Sequence, residues 1–268
     1  MGGSSSTERV ETEVKEDRNP SLLKEPWRSV VTRTNLKQYL HDYKPTVDSV
    51  PRARILLVGA VGAGKSSFFN SINSVCRGNM TSQAKAGSDY RTYTVRAGRG
   101  GRPLAFLLCD TMGLEMSLNS GVNIEDIVSI LKGYIPDKYQ VPLCVMDTNV
   151  MNATSLMAFS IQRFVVNMPS ETHLLMVLDV PVLVLLTKVD NACPHVQRDL
   201  RNVYRSCIIK GLVTSECLSV PVLSVLPVKN YTYETELNDS CDILLLSAMK
   251  QMLNFADNYL DSCEENTE

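Results

Sequence analysis

No Cys-x-x-Cys pair occurs in the chain, and its three histidines, His41, His173 and His195, stand far apart. The sequence therefore offers no ligand set for a structural zinc ion. The eight cysteines are scattered from Cys76 to Cys263, which reads as the reduced thiols of a cytoplasmic protein. Strong charge of either sign is also missing. A net charge of −2 gives no global pull toward nucleic acid or an anionic membrane. No apolar run reaches membrane-spanning length: the longest, Leu174 to Leu186, is interrupted by Asp179 and Pro181. It reads as a helix end followed by a buried strand. The N-terminus lacks the apolar core of a secretory signal. Tryptophan occurs once, at Trp27, where a core plug is the expected role. What is present is 268 residues of 44% hydrophobic content, enough for one large α/β domain with tails, or at most two domains.

Within that chain, Gly59-Ala60-Val61-Gly62-Ala63-Gly64-Lys65-Ser66 matches the phosphate-binding P-loop pattern. Its flanks supply the required context. Ala53 to Val58 ends in four apolar residues, as a buried parallel strand does, and Phe68, Ile72, Val75 and Cys76 recur on one face of a helix starting near Gly64. Glycines let backbone N–H groups curl around phosphate oxygens, and the helix N-terminus adds partial positive charge. Gly59 to Ser67 are the expected phosphate binders. Lys65 reaches the β- and γ-phosphates, and the Ser66 hydroxyl ligates Mg²⁺.

Downstream, Tyr90–Ala97 and Leu104–Cys109 read as two strands joined by the turn Gly98-Arg99-Gly100-Gly101. The second ends in Asp110-Thr111-Met112-Gly113. Asp110, at the carboxyl end of an apolar strand, stands where a Mg²⁺ ligand acting through water is needed, and the Gly113 N–H is free to approach the γ-phosphate. Gly78 to Asp89 takes the place of a first switch loop; Thr81, Thr92 and Thr94 all qualify as its threonine. Leu114 occupies the position where many Ras-like enzymes orient the attacking water with glutamine. Leucine cannot do so, so binding and hydrolysis separate here.

Further helices are expected at 124–131, 154–168, 196–212 and 245–260, and strands at Pro142–Thr148, Pro181–Leu186 and Val220–Val228. Thr187-Lys188-Val189-Asp190 follows the second of these strands. Guanine presents two parallel donors, N1–H and the 2-amino group. Asp190 can accept both, adenine lacks that pair, and the stem of Lys188 can lie over the purine. Thr187 stands where many GTPases have asparagine. Lys229-Asn230, after the last strand, is placed to meet the guanine O6 through a backbone N–H. The expected ligands are thus GTP or GDP with Mg²⁺, on an α/β three-layer P-loop fold, mostly parallel sheet with helices on both faces.

Four further blocks extend the P-loop stretch Arg54 to Ser71: Leu108 to Leu114, Ile130 to Asp137, Leu186 to Asp190, and Val228 to Tyr231. Together they resemble the interferon-induced protein 44 family, including its 44-like branch, over roughly residues 25–260. The resemblance implies a cytoplasmic GTP-binding protein of the interferon response, with roles in antiviral defence and restrained growth and no firm record of hydrolysis. It also implies a short form holding the nucleotide-binding half, without the N-terminal TLDc domain of the long members. Segment 150–180 departs from the family pattern.

Around the domain, residues 1–20 read as a disordered tail, 21–50 as an extension packing Trp27 and Leu40 onto it, 51–260 as the guanine-nucleotide-binding domain, and 261–268 as an acidic tail. Met-Gly-Gly-Ser-Ser-Ser fits the short, permissive N-myristoylation pattern at Gly2, and a flexible start is the preferred reading. Five acids against three bases over residues 8–18 supply no basic second anchor. Two functional readings stay open: a slow GTPase needing a partner's group, and a nucleotide-dependent interaction protein without turnover. Neither the protein partners nor the oligomeric state is readable.

Overall fold

The computed structural model describes residues 22–59, 61–85, 90–111, 129–130, 134, 136–137, 180–214 and 221–265, together with the backbone of 155–161. Gly2, Ala60, Gly113, Leu114 and the strand expected at Pro142–Thr148 lie outside the described residues. So does the helix expected at 124–131, except for Ser129 and Ile130, which are helical.

Six strands form one sheet: β1 (Ala53–Val58), β2 (Arg91–Arg96), β3 (Pro103–Asp110), β4 (Ser155–Ile161), β5 (Val182–Leu186) and β6 (Val225–Pro227). Their order is β2-β3-β1-β4-β5-β6. Only β2, the hairpin partner of β3, runs antiparallel; the other neighbours are parallel. The sequence alternation explains the layering. Leu183 and Leu185 point into one core, with Ile55, Leu57, Phe68, Phe106 and Leu245. Val184 and Leu186 point into another, with Val196, Val203, Ile209 and Val225. Successive strand residues face opposite sides, so helices must cover both. On the first face lie α1 (Arg33–Asp42), α2 (Lys65–Arg77) and the long terminal helix α6 (Asp239–Glu265). On the second lie α3 (Val189–Ala192), α4 (Pro194–Arg198), a 3-10 segment Leu200–Arg205 and α5 (Cys207–Thr214).

The N-terminal extension is fastened at two places. Leu23 and Trp27 donate backbone N–H groups to Arg205 and Tyr204 at 2.7 and 2.8 Å. Trp27 meets Tyr204 edge-on at 5.3 Å between ring centres. Arg28 then donates to the Val225 and Val222 carbonyls at 3.0 and 2.9 Å. Beyond it, α1 runs parallel to α6, pairing Arg33 with Asp242, Tyr39 with Asn254 and Tyr43 with Asp257, while Thr46, just past α1, meets Asp261.

Four sequence expectations are corrected. Residues 154–168 were expected as a helix, but Ser155–Ile161 is a central parallel strand between β1 and β5. A short apolar run rich in Leu, Met and Ala fits either state, and tertiary pairing decides. The helix expected over 196–212 is broken into three pieces. The Asp199 carboxylate accepts from Arg201 N–H, and the Ser206 hydroxyl accepts from Ile209 N–H, so each side chain starts a new turn. The last strand is only Val225–Pro227, preceded by a 3-10 turn. Finally, α6 starts earlier than expected, where the Asn238 side chain accepts from Ser240 and Cys241 N–H, and it continues to Glu265, into the segment read as a tail.

Leu245, fully buried on α6, joins that helix to the sheet. Leu245→Ala is expected to cost about 2–5 kcal/mol of stability in urea denaturation; a loss under 1 kcal/mol would mean that α6 is not integral to the core.

Candidate nucleotide site

The loop after β1 turns through left-handed glycines into α2. Gly62 and Gly64 have φ of 78° and 96°. A side chain at Gly64 would be strained there, and its Cβ would stand 2.8 Å from Asn230 Nδ2. Lys65, 7% exposed, donates its ammonium to the Gly59 carbonyl at 2.8 Å. Burial lowers the Lys65 pKa, with the Asp110 charge opposing. Register pairs Leu57 of β1 with Asp110 of β3, which sets that carboxylate beside the start of α2. The Ser66 hydroxyl donates to Asp110 Oδ2 at 2.6 Å. Burial raises the Asp110 pKa, while the Ser66 hydrogen bond and the Lys65 charge pull it down. Asp110 Oδ1 is buried with no hydrogen-bond partner. An orphaned carboxylate oxygen beside a serine hydroxyl is a donor set suited to a hard divalent cation.

The segments expected to meet the base come from the ends of β5 and β6. Thr187, 2% exposed, donates its hydroxyl to the Ala63 carbonyl at 3.0 Å. Asn230 donates its side-chain amide to the Gly64 carbonyl at 3.1 Å. Both residues therefore stitch their loops to the phosphate loop. Between them, Lys188 takes a left-handed conformation, φ 56°, the one non-glycine residue with positive φ among the described residues. That turn delivers Asp190 to the first turn of α3.

A cavity of about 690 Å³ opens here, within the range usual for small-ligand sites. Gly62, Gly64 and Ser67 line one part of it, and Lys188, Asp190, Lys229 and Asn230 another. Of the residues expected at the site, Val61 is exposed, at 66%, and Ala63 is buried. The candidate switch threonines are not gathered here. The Thr81 side chain is held by Asn73 and Ser74 in the C-terminal half of α2. Thr92 and Thr94 sit in β2 opposite Cys109 and Leu107.

Tyr233 and Glu234 are among the cavity residues that escaped the sequence reading. The Glu234 carboxylate pairs with the Lys229 ammonium and accepts from the Thr232 and Tyr233 N–H groups at 2.8 and 3.2 Å. It thereby closes the loop into a ring. Tyr233 is held outward, 85% exposed at the rim, with the Lys229 ammonium 5.9 Å from its ring centre. No short motif encodes this; the only signal is an acidic residue five positions after the lysine. Burial pushes the Glu234 pKa up, but the Lys229 hydrogen bond and the backbone donors outweigh it and bring it down to about 2.

Among the described residues no group of three His, Cys, Asp or Glu side chains is gathered to hold a metal, and no helix is long and apolar enough to cross a membrane. Six cysteines in these segments are free thiols.

Two outcomes are expected. Gly64→Ala should lower stability by about 1–2 kcal/mol from the left-handed backbone alone, and separate Asn230 from the loop, read by thermal melting and by loss of the cavity's ligand affinity. The depressed Glu234 pKa means that its ring closure stabilises the fold fully above the unfolded value near 4.5, and that this contribution fades as pH falls through about 2. An NMR titration in which Glu234 titrates at an ordinary 4.5 would contradict the closure.

No family model matches the chain. Solved structures similar to it include Toc33 from Arabidopsis thaliana in complex with GDP and Mg²⁺, at TM-score 0.42 and 14% identity, covering 78% of this chain and 86% of that one. Another is the FeoB G-domain from Methanococcus jannaschii, at TM-score 0.38 and 17% identity, covering 77% and 98%. At those scores the fold is defined by the strand order above rather than by either neighbour. Sequence relatives are nearer. Human interferon-induced protein 44-like is 37% identical over 257 residues, 85% of this chain and 57% of that protein. Human interferon-induced protein 44 is 35% identical, covering 85% and 58%, and the mouse protein is 34% identical, covering 86% and 61%. The chain thus spans about three fifths of the length of the curated relatives it matches, and over some 85% of its own length it is a homologue of the interferon-induced protein 44 and 44-like family.

Proposed function

We propose that this chain binds guanine nucleotide with Mg²⁺ and serves as a nucleotide-dependent component of an interferon-induced, antiviral response in the cytoplasm. The observation that carries the reading is the pair of hydrogen bonds from Thr187 to Ala63 and from Asn230 to Gly64. They fix a phosphate-type loop and a guanine-type carboxylate at the walls of one cavity. Induction by interferon is carried over from the names of the relatives.

In this reading, backbone N–H groups of Gly59 to Ser67 and the N-terminus of α2 hold the phosphates, with the Lys65 ammonium neutralising them. Ser66 and Asp110 would hold Mg²⁺, which supplies charge neutralisation on the phosphate oxygens when bound. Asp190 accepts the two parallel donors of guanine, and the Lys188 stem covers one purine face. Tyr233 offers an aromatic wall at the rim. Leu114 favours binding without turnover, because leucine offers no hydrogen-bonding group at the sequence position where many Ras-like enzymes carry glutamine. Slow hydrolysis completed by a partner's group is the second reading, supported by the Ser66–Asp110 pair.

Titration of the purified chain with labelled GTP, GDP and ATP tests this. GTP and GDP are expected to bind and ATP to compete poorly. Asp190→Ala should weaken GTP roughly 10- to 100-fold, the range for hydrogen bonds to a charged group, and Lys65→Ala should abolish binding. Equal competition by ATP would defeat the base assignment. Steady phosphate release that Lys65→Ala removes would establish turnover.

A further inference from the structure

We infer that Arg33 and Asp242 are positioning residues for the base-reading loop, so that the N-terminal extension is coupled to nucleotide affinity. The inference rests on the guanine-nucleotide reading above. Asp242 is completely buried in the first turn of α6. A carboxylate there needs partners on both oxygens, because an unpaired buried charge is strongly destabilising. It has two. Arg33 Nε donates to Oδ2 at 2.6 Å, and the Tyr231 hydroxyl donates to Oδ1 at 2.7 Å.

Tyr231 follows Lys229 and Asn230 directly. Its hydroxyl also accepts the Asn238 N–H at 2.6 Å, closing the loop that carries Tyr233 and Glu234. Its own N–H donates to Ser71 Oγ on the phosphate-loop helix at 2.9 Å. One residue therefore joins the base loop to α2 through its backbone N–H and to α6 through its hydroxyl, and the hydroxyl's acceptor is a carboxylate that Arg33 also holds. Arg33 belongs to the extension, which is fastened upstream by Leu23, Trp27 and Arg28 to the opposite core. Its side chain is about one third exposed, and the exposed Asp239 carboxylate lies 3.4 Å away as an alternative acceptor. Whatever draws Arg33 from Asp242 toward Asp239 leaves Oδ2 of that buried carboxylate without its partner and loosens the acceptor that positions the Tyr231 hydroxyl. Coupling is reciprocal: a nucleotide that orders the loop also tightens the extension.

The test compares the parent chain with Tyr231→Phe, Arg33→Ala and the double variant, using GTP, GDP and inorganic tripolyphosphate as probes. Each single variant should weaken GTP and GDP about tenfold, a usual size for such coupling, and leave tripolyphosphate affinity unchanged. The double variant should be no weaker than either single one, since both cut the same link. GTP should slow amide exchange over residues 22–33 in the parent and not in Tyr231→Phe. Tyr231→Phe removes one oxygen and keeps the test decisive should Arg33→Ala not fold. A parent that binds GTP, with Tyr231→Phe binding it equally well, overturns the coupling alone. A parent that binds no guanine nucleotide overturns the coupling and the guanine reading together. Equal loss of tripolyphosphate and GTP affinity would mean general destabilisation and overturn the positioning role.

Discussion

Two carbonyl oxygens of the phosphate loop, those of Ala63 and Gly64, hold the molecule's chemistry in one place. Each accepts a side-chain hydrogen bond from a loop more than a hundred residues downstream. The Gly64 carbonyl also accepts the Phe68 N–H at the start of α2, so the Asn230 amide is a second donor on it. Thr187 and Asn230 tie both downstream loops to this turn and thereby relate the two ends of the cavity. Gly64 is central to this, because its missing side chain leaves room for the Asn230 amide. The parallel order of β1, β4, β5 and β6 brings the carboxyl ends of β1, β5 and β6, from which these loops leave, to the same edge.

Much of this was legible in the sequence where the signal is local. β1, α2, the β2–β3 hairpin and the strand before Thr187 follow from short runs of alternating or continuous apolar residues. The P-loop glycines, Lys65, Ser66 and Asp110 follow from motif order, and the structure brings Ser66 and Asp110 within hydrogen-bonding distance. Legibility failed where the decisive partner lies far away. Ser155–Ile161 carries helix-favouring residues and becomes a strand because β1 and β5 flank it. The hydroxyl of Thr187, expected at the guanine end of the site, donates to the Ala63 carbonyl, a contact that local sequence does not announce. Glu234 and Asp242 belong to no motif; each matters because of a lysine, a tyrosine or an arginine that folding delivers to it.

Electrostatically, the site separates its charges by burial. Asp110 sits in a dry setting with one oxygen unpartnered, which favours a multivalent counter-charge. Glu234, at the rim, is already neutralised by Lys229 and by backbone donors, and its charge serves the shape of the loop. The two carboxylates thus differ in what they leave over: Asp110 keeps an oxygen without a protein partner, and Glu234 is committed to the shape of its loop.

The terminal helix runs unbroken from Asp239 to Glu265. At 1.5 Å per residue it is a rod of about 40 Å, with its first turn at the wall of the cavity. Rods amplify rotation. A tilt of about 10° at the Asp242 end would sweep the far end through roughly 7 Å, given that rise per residue. A rearrangement among Tyr231, Asp242 and Arg33 that tilted this rod would therefore be read as a larger displacement at its Glu265 end.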